Sequence, residues 1–325
     1  MNNNDAIIFL AQDNAKTFRP LRKEETEDLQ VPFFQVRKDN NGLCGYTIDY
    51  FNYKTHDNAP RMQYYCDYLL KNIFPNVDSS CDLSGFYPIE LHDSYSYLHN
   101  DVNYDNVLTF AKKKQDKYPT LIPDPFMIGN YGGRLDVSDT IVWDNKISKA
   151  AFFGVTTGNK NPLQNDRLQI CQWSAKNRDI SDFYITRIAQ MDPQEVVKAY
   201  PDDIQQMYCN PINQQEQYKY KFLLSIDGNT CSYDRLCWIM KSNSLLFKYP
   251  SNDILWYYPL ILENTHFVDV NEDNIRKKMT FYMNNPAIAN HIVKNANTFV
   301  KNFTTPVNTM LYSTYLFEHI SENKA

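Results

Sequence analysis

The chain has 325 residues, 43% of them hydrophobic and 22% charged, which is close to the globular average and excludes wholesale disorder or a long coiled coil. Its 33 Lys and Arg against 38 Asp and Glu leave a formal charge of -5, without the basic excess that a nucleic-acid binder carries. The length is long for one domain and comfortable for two.

The first residues, Met-Asn-Asn-Asn-Asp, lack a basic leader, and the apolar run Ala6–Leu10 is too short for a signal sequence. The longest apolar stretch, Ile254–Leu262, is broken by Pro259 and falls far below the roughly 20 residues that cross a bilayer. Seven cysteines, at 44, 66, 81, 171, 209, 231 and 237, are odd in number and form no C-x-x-C pair, so they are read as free thiols in a reducing compartment. A cytoplasmic protein with at most peripheral membrane contact is expected.

Along the chain, runs of strand length alternate with helix-period segments, which predicts the α/β class. Met62, Tyr65, Cys66, Leu69, Leu70 and Ile73 fall on one face of a helix over Arg61–Phe74. Phe86–Leu91 and Val107–Ala111 read as strands, and Lys112–Lys114 with Lys117 as a solvated loop face. Tyr118–Gly133, with three prolines and three glycines, reads as a loop and a candidate boundary. In the second half, strands are predicted at Ala150–Val155, Phe183–Ile188, Lys221–Asp227, Ser244–Lys248 and His266–Val270. Helices are predicted at Leu163–Lys176, from Ser232 to about Asn243, and at Asp273–Asn284, Ala287–Phe303 and Val307–Ile320. Strand–loop–helix–strand succession builds doubly wound parallel sheets, which bind ligands beyond the carboxyl ends of their strands. Two such sets imply two Rossmann-like halves facing one cleft, residues 1–145 and 146–304.

Three places carry the residue types that chemistry needs. In the first, an apolar strand ends at Asp227-Gly228-Asn229, Thr230 and Ser232 offer capping hydroxyls, and Arg235 lies in the first turn of the following helix. A helix start of this kind suits a phosphate, and the guanidinium adds a bidentate contact. A tight turn with a cap reads equally well. In the second, Ala150–Val155 runs into Thr156, Thr157 and Gly158, with Arg167 downstream; it is neither a dinucleotide fingerprint nor a P-loop, and a plain strand and turn is the better reading of it alone. The third is Asp93, a carboxylate at a strand end where a general base belongs, although a turn-capping Asp is commoner. His92 beside it would face the opposite way on a continuing strand. No Asp-x-Asp, H-x-x-x-H or G-x-S-x-G occurs, so no metal site, zincin or α/β-hydrolase is predicted.

The run Tyr220-Lys-Phe-Leu-Leu-Ser-Ile-Asp-Gly-Asn-Thr-Cys-Ser-Tyr-Asp-Arg-Leu236, continued by Ser242–Lys248, Leu255–Leu260 and His266-Phe-Val268, resembles glycosyltransferase family 90. This family includes bacterial lipopolysaccharide glycosyltransferases and Rumi-type protein O-glucosyltransferases. Phe152-Phe-Gly-Val-Thr-Thr-Gly158 resembles its F-R-G-S-x-T strand and turn, and Val107–Lys112 through Ile122–Phe126 its F-S-x-S-K…P stretch. The resemblance covers roughly residues 80 to 300. It implies a GT-B arrangement, with the terminal helix, 305–325, packing back on the first half. It also implies a UDP-sugar donor, inversion at the anomeric carbon and no metal or other cofactor. Asp93 takes the place of the general base. Gly154, Val155, Thr156, Thr157, Arg167, Asp227, Gly228, Asn229, Thr230, Ser232, Arg235 and Lys248 take the donor side, and Asp124, Phe126, Tyr258 and His266 the cleft. Phe153 stands where the family usually has Arg. In the Rumi branch the helix Arg aligns with Asp234, one residue and so about 100° away from Arg235.

The expected function is therefore inverting, metal-independent transfer of a hexose or pentose from a UDP-sugar to a glycan or glycolipid acceptor such as lipopolysaccharide core. Transfer to protein Ser or Thr, and sugar-nucleotide binding without activity, are the alternatives.

Overall fold

The computed structural model describes residues 3–27, 29, 31–52, 58–93 and 106–323. The chain divides into two compact units: Met1–Asn130 with Asn252–Tyr258 and Phe303–Ala325, and Tyr131–Ser251 with Pro259–Asn302. The first passage between units falls inside the Pro- and Gly-rich stretch.

The first unit opens with α1 (Asn3–Ala15), which buries Ala6, Ile7, Leu10, Ala11 and Ala15. The strands β1 (Phe33–Lys38) and β2 (Tyr46–Phe51) pair antiparallel. After α2 (Ala59–Tyr68) comes β3 (Gly85–Pro88), antiparallel to β1 on its other side. Parallel pairing enters only through a bridge from Ile89 to Leu108 and through β4 (Leu108–Thr109) beside β6 (Thr120–Leu121). Between these two lies β5 (Lys112–Lys113), and α3 (Pro125–Ile128) follows. The unit is thus mixed rather than wholly parallel, because the hairpin β1–β2 contributes the long ladder. Helix α2 begins at Ala59 with Pro60 in its first turn and buries Met62, Tyr65 and Cys66 as the apolar spacing predicts. It continues through a π-helical turn, Leu69–Ile73, that the 3.6-residue period does not reveal. Lys112 and Lys113 are not a solvated face: Lys112 Nζ donates to the Pro119 carbonyl at 2.8 Å, and Lys113 pairs with Asp253 at 2.8 Å.

The second unit holds β7 (Ile147–Val155), α4 (Asp166–Ala175), β8 (Ser181–Arg187), α5 (Pro193–Ala199), α6 (Ile204–Met207), α7 (Gln214–Gln217), β9 (Tyr220–Ser225), α8 (Tyr233–Lys241) and β10 (Leu245–Lys248). The chain then returns to the first unit for β11 (Asp253–Ile254), paired with β5, and re-enters the second for β12 (Val268–Asp269), α9 (Ile275–Asn284) and α10 (Pro286–Asn302). It ends in the first unit with α11 (Pro306–Glu322), whose Tyr312 donates to the Leu121 carbonyl and stacks on the buried Trp256. Asn323 donates to the carbonyls of Ala15 and Phe18 and so satisfies the end of α1.

The sheet of the second unit runs β12-β10-β9-β7-β8, and each neighbouring pair is parallel. In chain order within the unit this is the doubly wound arrangement 2-1-3-4-5. Ala150, Phe152, Phe183, Phe222, Leu224 and Phe247 alternate onto one buried face against Leu168 and Cys171 of α4 and Met279 of α9. Phe153, Leu223 and Leu246 are buried on the other, which explains why these strands read as continuous apolar runs. The chain is of the mixed α/β class with a parallel sheet, as its alternating pattern predicts.

Candidate functional site

In a doubly wound sheet the crevice for a ligand opens where the strand order reverses, here beyond the carboxyl ends of β7 and β9. Two of the stretches singled out in the sequence, Gly154–Gly158 and Asp227–Ser232, meet at that point. Arg167, from the first turn of α4, joins them. Its Nε donates to the Asp227 carbonyl at 2.9 Å and Nη2 to the Ile226 carbonyl at 3.0 Å. Nη1 donates to the Val155 carbonyl at 2.9 Å and Thr157 Oγ1 at 2.7 Å. Burial pulls the guanidinium down to about 10, against the opposing pull of Asp227. A second link runs from the Gly158 N–H to Asn229 Oδ1, at 3.1 Å.

The glycines here are required by close approach. A Cβ on Gly228 would lie 2.5 Å from Thr157 Oγ1 and 2.9 Å from Arg167 Nη2. Gly158 has φ +122°, a region that side-chain-bearing residues rarely adopt. Thr156 is committed to the fold, its hydroxyl donating to the Ala189 carbonyl and accepting the Ala189 N–H. The expectation that Ser232 and Thr230 cap α8 with their hydroxyls is not met. Ser232 precedes α8, but its hydroxyl donates back to the Ile226 carbonyl at 2.7 Å, while Asp227 Oδ1 accepts the Ser232 N–H at 3.2 Å. The short loop turns the serine toward the strand it has just left. Thr230 is buried, and no hydrogen bond to its hydroxyl is found among the described residues.

Arg235 reaches from α8 to β7. Nη2 donates to the Phe153 carbonyl at 2.7 Å, Nη1 to Gln217 at 3.4 Å, and the guanidinium lies 4.9 Å from the Phe152 ring centre and 5.6 Å from that of Trp238. Burial, then repulsion from Arg167, pulls Arg235 down to about 10. Phe153 itself packs on Tyr184 and Tyr220. A cation therefore stands at the main chain of position 153 although the side chain there is aromatic. Lys248 ends β10, mostly buried, next in the sheet to the end of β9.

His266 also belongs to the second unit; its Nδ1 accepts the Leu262 N–H at 3.0 Å, and burial lowers its pKa. Asp93, Asp124, Phe126 and Tyr258 belong to the first. Asp124 is buried and caps α3 by accepting the Met127 N–H at 3.0 Å. Phe126 is exposed, and Tyr258 is buried edge-on to Tyr257.

Asp93 forms an ion pair with Arg61 of α2 at 2.9 Å, and the same guanidinium donates to the Leu91 carbonyl at 2.9 Å. His92 pairs with Glu90, two residues back. Both its N–H and its Nδ1 lie on Glu90 Oε1, at 2.7 and 2.6 Å. Glu90 is 1% exposed, and its hydrogen bond holds the His92 pKa above the ordinary histidine value, with burial opposing. An NMR titration of His92 is expected to show a midpoint above about 6.5, falling in Glu90→Gln. The Glu90–His92 pairing has a sequence signal, two polar residues at i and i+2 just beyond a strand, that reading single residues misses.

The Arg167 strap has a measurable consequence. Arg167→Ala removes four hydrogen bonds from a charged donor and is expected to destabilise the chain by about 1.5–3 kcal/mol in urea unfolding. Arg167→Lys, which has no fork to span both loops, should recover only part of this.

The family model for glycosyl transferase family 90 matches residues 134–323, more than half of the chain, and the match includes β7, β9, α8 and their loops. The chain belongs to glycosyltransferase family 90. It is 30% identical over 93 residues to the O-glucosyltransferase LpsA of Dichelobacter nodosus, a match covering 28% of this chain and 29% of that protein. Among solved structures it is similar to TarM, with 12% identity and a TM-score of 0.41 over 55% of this chain and 36% of that one. It is also similar to the C-terminal domain of a glycosyl transferase group 1 family protein, LpcC, from Francisella tularensis, with 9% identity and a TM-score of 0.32 over 56% of this chain and 94% of that domain. Among the described residues no three His, Cys, Asp or Glu side chains gather as metal ligands, and no helix is long and apolar enough to cross a membrane.

Proposed function

We propose that the protein is an inverting glycosyltransferase that moves a sugar from a UDP-sugar to a glycan acceptor without a metal ion. The observation that carries this reading is the pair of loops at the reversal of the parallel sheet, inside the stretch that matches the family. Two guanidiniums, Arg167 and Arg235, flank the Phe152 ring there at 5.8 and 4.9 Å, close enough for Arg167 to depress Arg235. An anion at these loops eases that repulsion through space while the Arg167 fork stays on its main-chain acceptors, and a diphosphate at the start of α8 gains the helix N-terminus as well. Leaving-group charge can then be met by fixed donors, which is how a transferase lacking an Asp-x-Asp metal site stabilises its departing UDP.

On the acceptor side, Asp93 takes the proton of the attacking hydroxyl as its oxygen bonds to the anomeric carbon and the bond to the diphosphate breaks, its electron pair leaving with UDP. Arg61 holds that carboxylate in the segment that follows β3. The name of the Dichelobacter nodosus relative makes UDP-glucose the first donor to test.

The test is donor hydrolysis by the purified chain with EDTA present, across UDP-, GDP-, ADP- and CMP-sugars. UDP release from one UDP-sugar that survives EDTA is expected. Neither hydrolysis nor binding of any UDP-sugar would sink the transferase reading, and binding without turnover would point to a sugar-nucleotide-binding protein instead.

A further inference from the structure

Helix α2 does more than hold Asp93. Beyond Arg61, the residues three and seven positions on, Tyr64 and Tyr68, lie on the same helical face, about 10 Å along the axis at 1.5 Å per residue. They open onto a pocket of about 310 Å³, within the range of small-ligand sites. One wall is Tyr64, Asp67, Tyr68, Lys71 and Asn72; the other is more apolar, Ile128 with Pro306, Thr309 and Met310 at the start of α11.

The chemistry of this wall is specific. The Tyr64 ring is 43% exposed, while Tyr68 forms a buried floor with its hydroxyl 3.5 Å from Ser313 Oγ. Asp67 and Lys71 form an ion pair at 3.3 Å, so their charges cancel within the pocket. Lys71 and Asn72 lie on the π-helical turn Leu69–Ile73. Such turns give up regular helix geometry and occur often at functional sites, because the extra residue re-aims the side chains around it. An exposed aromatic face, a carboxylate, an ammonium and an amide without net charge suit a polyhydroxylated neutral ligand. A phosphate would want a cationic excess, and a lipid chain would want apolar surface on every side, whereas here a polar wall with an ion pair faces an apolar one.

We infer that this pocket is a subsite for a neutral sugar segment of the acceptor, remote from the hydroxyl that reacts, and that α2 aligns the acceptor from Tyr64 toward Asp93. The inference rests on the transferase reading above, with Asp93 at the reacting end. A stacking contact equally strong in the ground and transition states lowers acceptor KM and leaves turnover unchanged.

The experiment uses the full chain with three variants, Tyr64→Ala, Tyr64→Phe and Asn72→Ala. The probes are dephosphorylated lipopolysaccharide core oligosaccharide and maltose to maltohexaose. Calorimetric titration is done without any donor, so it reads the pocket whether or not the chain hydrolyses UDP-sugars. Where transfer is measurable, acceptor KM and donor hydrolysis are followed side by side. Saturable binding by the wild type is expected, weakened about tenfold in Tyr64→Ala and retained in Tyr64→Phe, which keeps the ring. Acceptor KM should rise by the same factor while donor hydrolysis holds, and shorter oligosaccharides should lose the difference between variants. Tyr64 is exposed, so circular dichroism should report an unchanged fold. The inference is overturned if no probe binds the wild type, or if Tyr64→Ala binds as tightly as the wild type. A chain that binds oligosaccharide at Tyr64 but hydrolyses no donor retains the pocket and loses the transferase reading.

Discussion

Asp93→Asn is expected to lower turnover by about 10²–10⁴-fold while donor affinity stays where it was, the loss typical of removing a general base. The substitution is nearly isosteric, and its amide oxygen can still accept from Arg61 Nη2, so α2 and the segment after β3 stay joined. A structural role would therefore survive the change and a proton-accepting role would not. The measurement is steady-state transfer at saturating donor, with UDP affinity determined separately by calorimetry. Full activity in Asp93→Asn would remove Asp93 from the base role and leave the family assignment untouched. Loss of UDP binding in the same variant would mean that the fold had been damaged.

The second large effect lies in the second unit, at an ion pair that takes no part in the proposed chemistry. Lys146 and Asp139 pair at 2.7 Å with side chains 0% and 1% exposed. Lys146 also donates to the Tyr218 carbonyl, and Asp139 accepts the N–H groups of Ile141 and Asn243 at 3.0 and 2.8 Å. Burial lowers the Lys146 pKa, and Asp139 opposes this. Asp139→Ala leaves a buried ammonium without its counter-ion and is expected to cost about 3–5 kcal/mol in urea unfolding. The pH dependence fixes the cause. With its partner gone, Lys146 binds its proton less readily in the folded than in the unfolded chain. The unfolded state then holds more protons, and the variant should regain stability as pH rises toward the ordinary lysine range. Replacing both residues, Asp139→Leu with Lys146→Met, should cost less than Asp139→Ala alone, because no buried charge is left behind. A variant as stable as the wild type would show that the pair adds nothing to the unit.

Most of the elements were legible because each is announced by a local pattern. The apolar runs of β7, β9 and β10 are long and continuous because both faces of the sheet are buried, and the faces of α2 and α10 repeat at helical spacing. The run Tyr220–Leu236 carried the family for the same reason, since a strand, a tight turn and a helix start are contiguous in sequence. Glycine use at 158 and 228 was visible as well, although its reason lies elsewhere in the chain.

The tertiary structure decided what depends on residues far apart. Strand order 2-1-3-4-5 is set by which strands share hydrogen bonds, and composition carries no record of that choice. Arg167 looked like a cation available to a phosphate, yet it spends its fork on carbonyls about 60 positions away, because a buried loop must satisfy its main-chain acceptors. Ser232 turned inward for the same reason. Arg235 supplies at Phe153 a charge that the strand's own side chain does not, through a contact spanning 82 positions. The Lys146–Asp139 pair and the Tyr64 pocket are likewise products of folding: polar residues at ordinary surface frequency become a buried ion pair or a shaped wall only when distant segments close over them. Local periodicity determined the elements, and a contiguous run of residues carried the resemblance to the family; long-range hydrogen bonding and burial determined which charged side chains brace the fold.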